Sequence, residues 1–259
     1  MQEVKSIQIF DDEKIEDINE SLKLISKKDG LTFGTDAYLL ASFIRPQTKA
    51  KAVELGAGTG IISLLLSARN RVSHITAVEI QSDFAELSER NVRLNGLDDK
   101  ISVINRDIRE LKATDIDGEA DIVFTNPPYM RTDSGKANLS DRKQIARHEV
   151  CGGIEDFCAC AKRLLKHGGK FYVVWRPDRL SELMSALNAN RLEPKTMIFV
   201  HADEDSEPSM MIISAVKGGA PSAKIMPPLI LHSKDSRGAN SRPMSSKAQR
   251  IYETMSFYE

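Results

Sequence analysis

Four consecutive residues, Asn126-Pro127-Pro128-Tyr129, carry the clearest chemistry in the 259-residue chain. Each proline holds φ at about −65° and removes a backbone donor, so the loop is stiff and its carbonyls stand as acceptors. Asn126 adds a side-chain carbonyl, and Tyr129 adds a flat aromatic face. Such a site suits a planar group bearing an NH2: two acceptors take its two hydrogens and the ring stacks on it. An exocyclic amino nitrogen is a poor nucleophile because its lone pair is conjugated. Accepting both hydrogens draws it toward sp3 geometry and localises the pair. No general base of low pKa is required before transfer; the catalysis is one of positioning.

A second cluster lies upstream, at Val53-Glu54-Leu55-Gly56-Ala57-Gly58-Thr59-Gly60. Glycines between a strand and a helix let the backbone turn sharply and approach a ligand. The run is G-x-G-x-G, not the G-x-G-x-x-G of dinucleotide sites. Glu54 in the strand end would repel a pyrophosphate and suits a cation such as a sulfonium. An NAD site and an ordinary strand-to-helix turn are the alternatives. Glu79 lies 19 residues after Gly60, at the end of the next strand. A carboxylate there can accept both ribose hydroxyls of an adenosine cofactor. Asp107 follows the third strand and faces the same crevice, or else caps a turn.

The elements that would position these groups alternate. Strands are predicted over 52–55, 74–79, 101–105, 121–125 and 170–175, with helices over 61–68, 82–95, 154–166 and 179–190. The helix over 154–166 is expected to end at Gly168-Gly169, and Gly96 to terminate the one over 82–95. That order means βαβ units and a parallel sheet. Two late strands, 196–200 and 210–216, have only an acidic loop between them, which places one antiparallel member near an edge. Upstream, residues 21–25 read as a short amphipathic piece, Asp29-Gly30 as a turn, and Thr35 or Asp36 as the N-cap of a helix over 37–43. A final helix is expected over 248–257.

The chain is 41% hydrophobic and 28% charged, which suits one large domain and excludes disorder throughout. Its longest apolar stretches fall far below the roughly 20 residues of a membrane span. The acidic N-terminus lacks an apolar leader, and three cysteines make no disulfide framework, so a cytoplasmic setting is expected. Net charge is −1, yet residues 217–250 hold seven Lys or Arg against one Asp. Such local charge can meet a phosphate backbone. Arg131, Lys136, Arg142, Lys143 and Arg147 form a second basic stretch; either one is a solvated loop or an RNA contact. Cys151, Cys158 and Cys160 with His148 could be drawn as a metal site. Cys158 and Cys160 lie two apart on a helix, point to different sides, and read instead as buried small hydrophobes, so no metal is expected. Trp175 is expected to pack at a strand end.

In order and type these motifs resemble the class I S-adenosylmethionine-dependent amino-methyltransferases with an N/D-P-P-Y/F motif. Phe33-Gly34-Thr35-Asp36-Ala37-Tyr38-Leu39-Leu40-Ala41 narrows the resemblance to the bacterial tRNA1(Val) (adenine-37-N6) methyltransferase family, and Ala146-Arg147-His148-Glu149 agrees. The resemblance runs from about residue 15 to 217. It implies an α/β, Rossmann-like fold with a seven-stranded, mostly parallel sheet, one antiparallel strand and helices on both faces. It divides the chain into an N-terminal segment and helix (1–50), a methyltransferase domain (51–217) and a basic, loosely structured extension (218–259). It also implies roles. Gly56, Gly58, Gly60 and Glu54 would line the methionine end of S-adenosylmethionine, Glu79 and Ile80 its ribose, and Asp107 and Ile108 its adenine. Asn126 and Pro127 would bind the target amino group, with Tyr129 stacking, and Thr35 and Asp36 would close over the cofactor or cap the helix. The substrate implied is adenine N6 in RNA, most simply a tRNA near its anticodon. N2-guanine transfer to rRNA, N5 transfer to a protein glutamine and a non-catalytic binding module are the alternatives.

Overall fold

Two-residue periodicity along the strands sorts their side chains onto two faces. Ala52, Ile122, Phe124, Tyr172 and Val174 enter one buried cluster; Val53, Leu55, Val123, Phe171, Val173 and Trp175 enter the other. A sheet apolar on both faces must be covered on both, which requires helices on either side.

The computed structural model describes residues 7–29, 34–128, 152–233 and 243–258. In chain order it contains β1 (Glu13–Asp17), β2 (Lys23–Lys27), α1 (Thr35–Phe43), β3 (Lys51–Leu55), α2 (Ile61–Ala68), β4 (His74–Glu79), α3 (Ser82–Leu94), β5 (Ile101–Asn105), β6 (Ala120–Thr125), α4 (Ile154–Leu164), β7 (Leu165–Trp175), α5 (Leu180–Ala189), β8 (Leu192–His201), β9 (Pro208–Lys217), β10 (Lys224–Ile225), β11 (Leu229–Ile230) and α6 (Ser246–Thr254). The main sheet has seven strands of five residues or more, in the order β5-β4-β3-β6-β7-β9-β8. β9 alone of these runs antiparallel to its neighbours, and it lies one place in from the edge. The two-residue strands β10 and β11 pair parallel to β8 and bring the sheet to nine.

Three local expectations change. Residues 21–25 belong to a separate antiparallel hairpin of β1 and β2. Gly168-Gly169 do not end a helix: α4 stops at Leu164 and β7 begins at once. The glycines sit in a bulge, because Ala120 pairs with Leu165 and Ile122 with Lys170. The N-cap of α1 is Gly34, not Thr35 or Asp36.

The tail is not loose over its described residues. Ala248, Ile251, Met255 and Phe257 are buried in the cluster that holds α1 and α2. Tyr252 stacks on Tyr38 with ring centroids 4.6 Å apart, and Tyr38 Oη donates to the Tyr252 carbonyl at 2.6 Å. Buried Arg71 donates to the Met255 carbonyl at 2.5 Å and to Ala41 at 3.3 Å. These contacts clamp α1 from outside. Sequence patterning misses them because the anchors are scattered among basic and small residues.

The hairpin is fastened to α3 by a buried ion pair. Arg90 Nη2 donates to Glu13 Oε1 at 2.6 Å and Nη1 to Oε2 at 2.7 Å. The Arg90 guanidinium holds the Glu13 carboxyl down at about 2. A depressed carboxylate stabilises the fold above its unfolded value, and that contribution is lost as pH falls through the folded one. Wild-type stability should therefore drop between pH ~5 and ~2. Arg90→Ala should cost about 1.5–3 kcal/mol at neutral pH, because Glu13 loses two charge-assisted bonds and keeps only Lys27 and the Phe10 amide, and should partly flatten that acid limb. Urea unfolding at several pH values reads both effects.

Candidate active site

Parallel register brings the motifs to one edge. Leu55 of β3 stands level with Val78 of β4 and Thr125 of β6, and Val78 is level with Ile104 of β5. Gly56, Glu79, Asn105 and Asn126 therefore occupy the next level, at the carboxyl ends of four adjacent strands. Ligands of open α/β sheets bind at this edge.

The glycine turn is held from both sides. Gly56, Gly58 and Gly60 have φ of 70°, 56° and 80°. At Gly60 a side chain would be strained and would run into Ser88 of α3. The amides of Gly56 and Ala57 donate to the Val78 carbonyl at 2.9 and 3.0 Å, and Gly58 N donates to Glu79 Oε2 at 2.8 Å. Glu79 Oε1 accepts from Gln81 N at 2.9 Å. Its carboxylate thus lies against the turn. Asn105 Nδ2 donates to the carbonyls of Glu79 and Ile80 at 2.8 and 2.9 Å and fixes that strand end.

Glu54 lies beneath the turn, 2% exposed. Its Oε2 accepts from both the amide (3.1 Å) and the hydroxyl of Ser63 in α2. Burial outweighs these bonds and pushes the carboxyl up to about 8. Burial thus favours the protonated form of Glu54 while the turn holds no cation. A cation placed at the turn would draw it toward ionisation.

Asp107 is gripped by its neighbour. Arg109 Nε and Nη2 donate to Oδ1 (2.9 Å) and Oδ2 (2.5 Å), and Arg109 N donates to Oδ1 at 2.8 Å. The guanidinium holds this carboxyl below the usual carboxylate range. Ile108 is buried, and its carbonyl accepts from Arg163 of α4 at 2.6 Å; the Leu111 carbonyl accepts from the same guanidinium at 2.5 Å.

Asn126 is half-buried and Pro127 buried, directly after β6. Thr125 Oγ1 donates to the Leu55 carbonyl at 2.8 Å and ties β6 to β3 at this level. Asn126 Nδ2 donates to Asp36 Oδ2 at 2.8 Å. The first turn of α1, with Thr35 and Asp36, thus reaches the Pro-Pro loop. Tyr129, the basic stretch 131–147, His148 and Cys151 lie outside the described residues, as do Phe33, Lys234, Arg237 and Arg242. Cys158 and Cys160 are fully buried, and burial pushes both thiols up to about 12. Trp175 packs at the end of β7 and donates to the Arg179 carbonyl at 3.1 Å. Among the described residues no helix is long and apolar enough to cross a membrane.

Sequence reading missed several supports: Ser63, Asn105, Arg163 and above all Asn91. Asn91, fully buried in α3, accepts from Ile25 N at 2.6 Å and donates to the carbonyls of Ile25 (3.1 Å) and Thr59 (3.0 Å). It joins the N-terminal hairpin to the glycine turn. A polar side chain on the apolar stripe of α3, one turn after Leu87, was the available signal.

Residues 26–190 match the family described as the methyltransferase small domain. The chain belongs to that family. S-adenosylmethionine is the cofactor that membership of this methyltransferase family implies. The donor set fits that cofactor: a turn with glycine at three of its five positions, a carboxylate against it, and a second carboxylate beyond the next strand. A relative from Phocaeicola vulgatus, named a tRNA1(Val) (adenine(37)-N6)-methyltransferase, is 30% identical over 181 residues, covering 70% of this chain and 75% of its own. One of the same name from Dyadobacter fermentans is 28% identical over 203 residues, covering 78% and 82%. A crystal structure described as a predicted O-methyltransferase from Agrobacterium tumefaciens superposes with a TM-score of 0.68 at 21% identity, covering 86% of this chain and 98% of that one. It shares the fold.

Burial of Glu54 has a measurable consequence. Its folded value lies above the unfolded one, so the folded state holds an extra proton between pH ~4.5 and ~8 and loses stability as pH rises through that window. Within it, the loss amounts to about 1.4 kcal/mol for each step of one in pH. Glu54→Gln should remove this slope, which chemical unfolding from pH 5 to 8 would reveal as a flatter stability profile than wild type.

Proposed function

We propose that the chain transfers a methyl group from S-adenosylmethionine to the exocyclic N6 of an adenine in RNA, with a tRNA near its anticodon as the substrate. The observation that carries this reading is the emergence of Asn126-Pro127 one level beyond β6, beside the glycine turn of β3. The relatives' names supply the substrate. When bound, S-adenosylmethionine supplies an electrophilic methyl group on a sulfonium.

The chain's own residues do the rest. The backbone of Gly56, Gly58 and Gly60 lies against the methionine end, with Glu54 beneath it. Glu79 accepts the ribose hydroxyls beside Ile80, and Asp107 accepts from the adenine amino group beside Ile108. Across the crevice, the Asn126 side-chain carbonyl and the Pro127 backbone carbonyl accept the two hydrogens of the target amine. That bonding localises the nitrogen lone pair and aims it, which is positioning catalysis. The resemblance assigns the stacking face to Tyr129. A base in a stacked loop must be splayed out to reach such a pocket, and single-stranded loops are the cheapest targets. Lys247 and Arg250 on α6, the helix packed against α1, add positive charge for a phosphate backbone.

Labelled S-adenosylmethionine, offered to tRNA from cells lacking the protein, to rRNA and to a release factor, tests the reading by nucleoside and peptide mass. Label as N6-methyladenosine in tRNA is expected; N2-methylguanosine in rRNA or methylglutamine in protein would overturn the substrate. Asn126→Ala should lower transfer by at least about 100-fold while cofactor affinity stays within a few-fold of wild type. Equal loss of both would remove the assigned role. Glu79→Ala should weaken cofactor binding by about 10- to 100-fold, the worth of hydrogen bonds to a charged acceptor, read by calorimetry.

A further inference from the structure

We infer that Asp36 is a positioning residue for the reaction: its carboxylate sets the side-chain amide of Asn126 so that the carbonyl, not the NH2, is turned toward the amine to be methylated. This rests on the amino-transfer reading above.

The two ends of an asparagine amide are nearly equal in size, so packing alone does not choose between them. Chemistry must, because an NH2 aimed at a target NH2 would set donor against donor. A carboxylate has no hydrogen to give. Asp36 Oδ2, 2.8 Å from Asn126 Nδ2, therefore accepts from the NH2 end. Rotating the amide by a half-turn would bring its oxygen against the carboxylate, acceptor on acceptor. The favourable bond is charge-assisted and so among the stronger kinds.

The carboxylate is itself held in place. Its other oxygen, Oδ1, accepts from Ala37 N at 2.9 Å. A Cβ on Gly34 would strike that same oxygen, so the residue two before Asp36 must be glycine for the carboxylate to sit there. Behind it, α1 is fixed by Leu39, Leu40 and Phe43 in the core and by the stack of Tyr38 on Tyr252. Asp36 and Asn126 are 90 residues apart, and only the fold pairs them.

A swap of the two side chains tests this. Asp36→Ala should lower kcat by about 10- to 100-fold, the scale of a mispositioned group. The affinity for S-adenosylmethionine should stay within about twofold of wild type. Asn126→Asp sets two carboxylates face to face, so its activity should fall as pH rises and both ionise. Adding Asp36→Asn restores a donor–acceptor pair with the roles exchanged. The double variant should regain at least about tenfold over Asn126→Asp alone and lose the pH dependence. A double variant no better than the single one, or an Asp36→Ala defect confined to cofactor affinity, would overturn the inference. The activity arm uses whichever amine the wild type methylates, adenine, guanine or glutamine amide.

A readout without substrate separates the two claims. In 15N–1H spectra of the protein alone, the Asn126 side-chain NH2 signal, identified by its loss in Asn126→Asp, should shift in Asp36→Ala. An unmoved signal refutes the positioning role, whatever the enzyme methylates. A wild type that labels no RNA, with the signal moved, refutes the RNA substrate and leaves the pairing standing.

Discussion

Everything at the site depends on the parallel pairing of β3 with β4 on one side and β6 on the other. Parallel strands all finish on the same edge, so loops that follow them meet although the chain between them is long. The glycine turn, Glu79, Asn105 and Asn126 leave the sheet at one level because Leu55, Val78, Ile104 and Thr125 are in register. A slip by one residue would turn Leu55 and Val78 from one packed cluster into the other, among neighbours of different size and shape, so close packing on both faces holds the register.

That edge is irregular backbone, and loops there carry groups that must be satisfied. The fold does this with buried or half-buried polar side chains that reach across elements. Ser63 answers Glu54, Asn91 bridges Ile25 and Thr59, and Arg163 gathers the carbonyls of Ile108 and Leu111. Each ties a strand end or loop at the ligand edge to a helix behind it. A site stiffened in this way keeps its acceptors aimed before substrate arrives, and the reaction proposed here requires aim rather than proton transfer. The same need explains why the C-terminal tail closes on α1. The Tyr252 stack, the Arg71 bonds and the Phe43–Phe257 contact, with ring centroids 5.5 Å apart, immobilise the helix that presents Asp36 to Asn126.

Much of this was legible in the linear chain. The alternation of strand and helix from residue 51 to 190 was plain, since each strand is a short apolar run bounded by polar residues or glycine. Gly56, Gly58, Gly60, Glu79 and Asn126 stood at the strand ends where the structure has them. What failed was punctuation whose meaning depends on neighbours. Gly168-Gly169 reads as a helix stop, yet pairing of β7 with β6 makes it a bulge. The N-terminal hairpin was hidden because its anchors, Arg90 on Glu13 and Asn91 on Ile25, lie in α3. The tail read as loose because Ile251, Met255 and Phe257 bury themselves singly rather than as a stripe.

By itself the sequence determined the order of elements, the two-faced sheet and the types of group at its carboxyl edge. Those follow from side-chain periodicity and from local backbone limits at glycine and proline, which act over a few residues. Only the tertiary structure decided that burial raises the Glu54 carboxyl, that Asn91 joins hairpin to turn, and that Asp36 faces Asn126. Each of these depends on what lies beside a residue in space: the desolvation of one carboxyl, and hydrogen-bond partners from about 30 to 90 positions away. No local pattern encodes such neighbours, because they are set by the packing of whole elements onto the sheet.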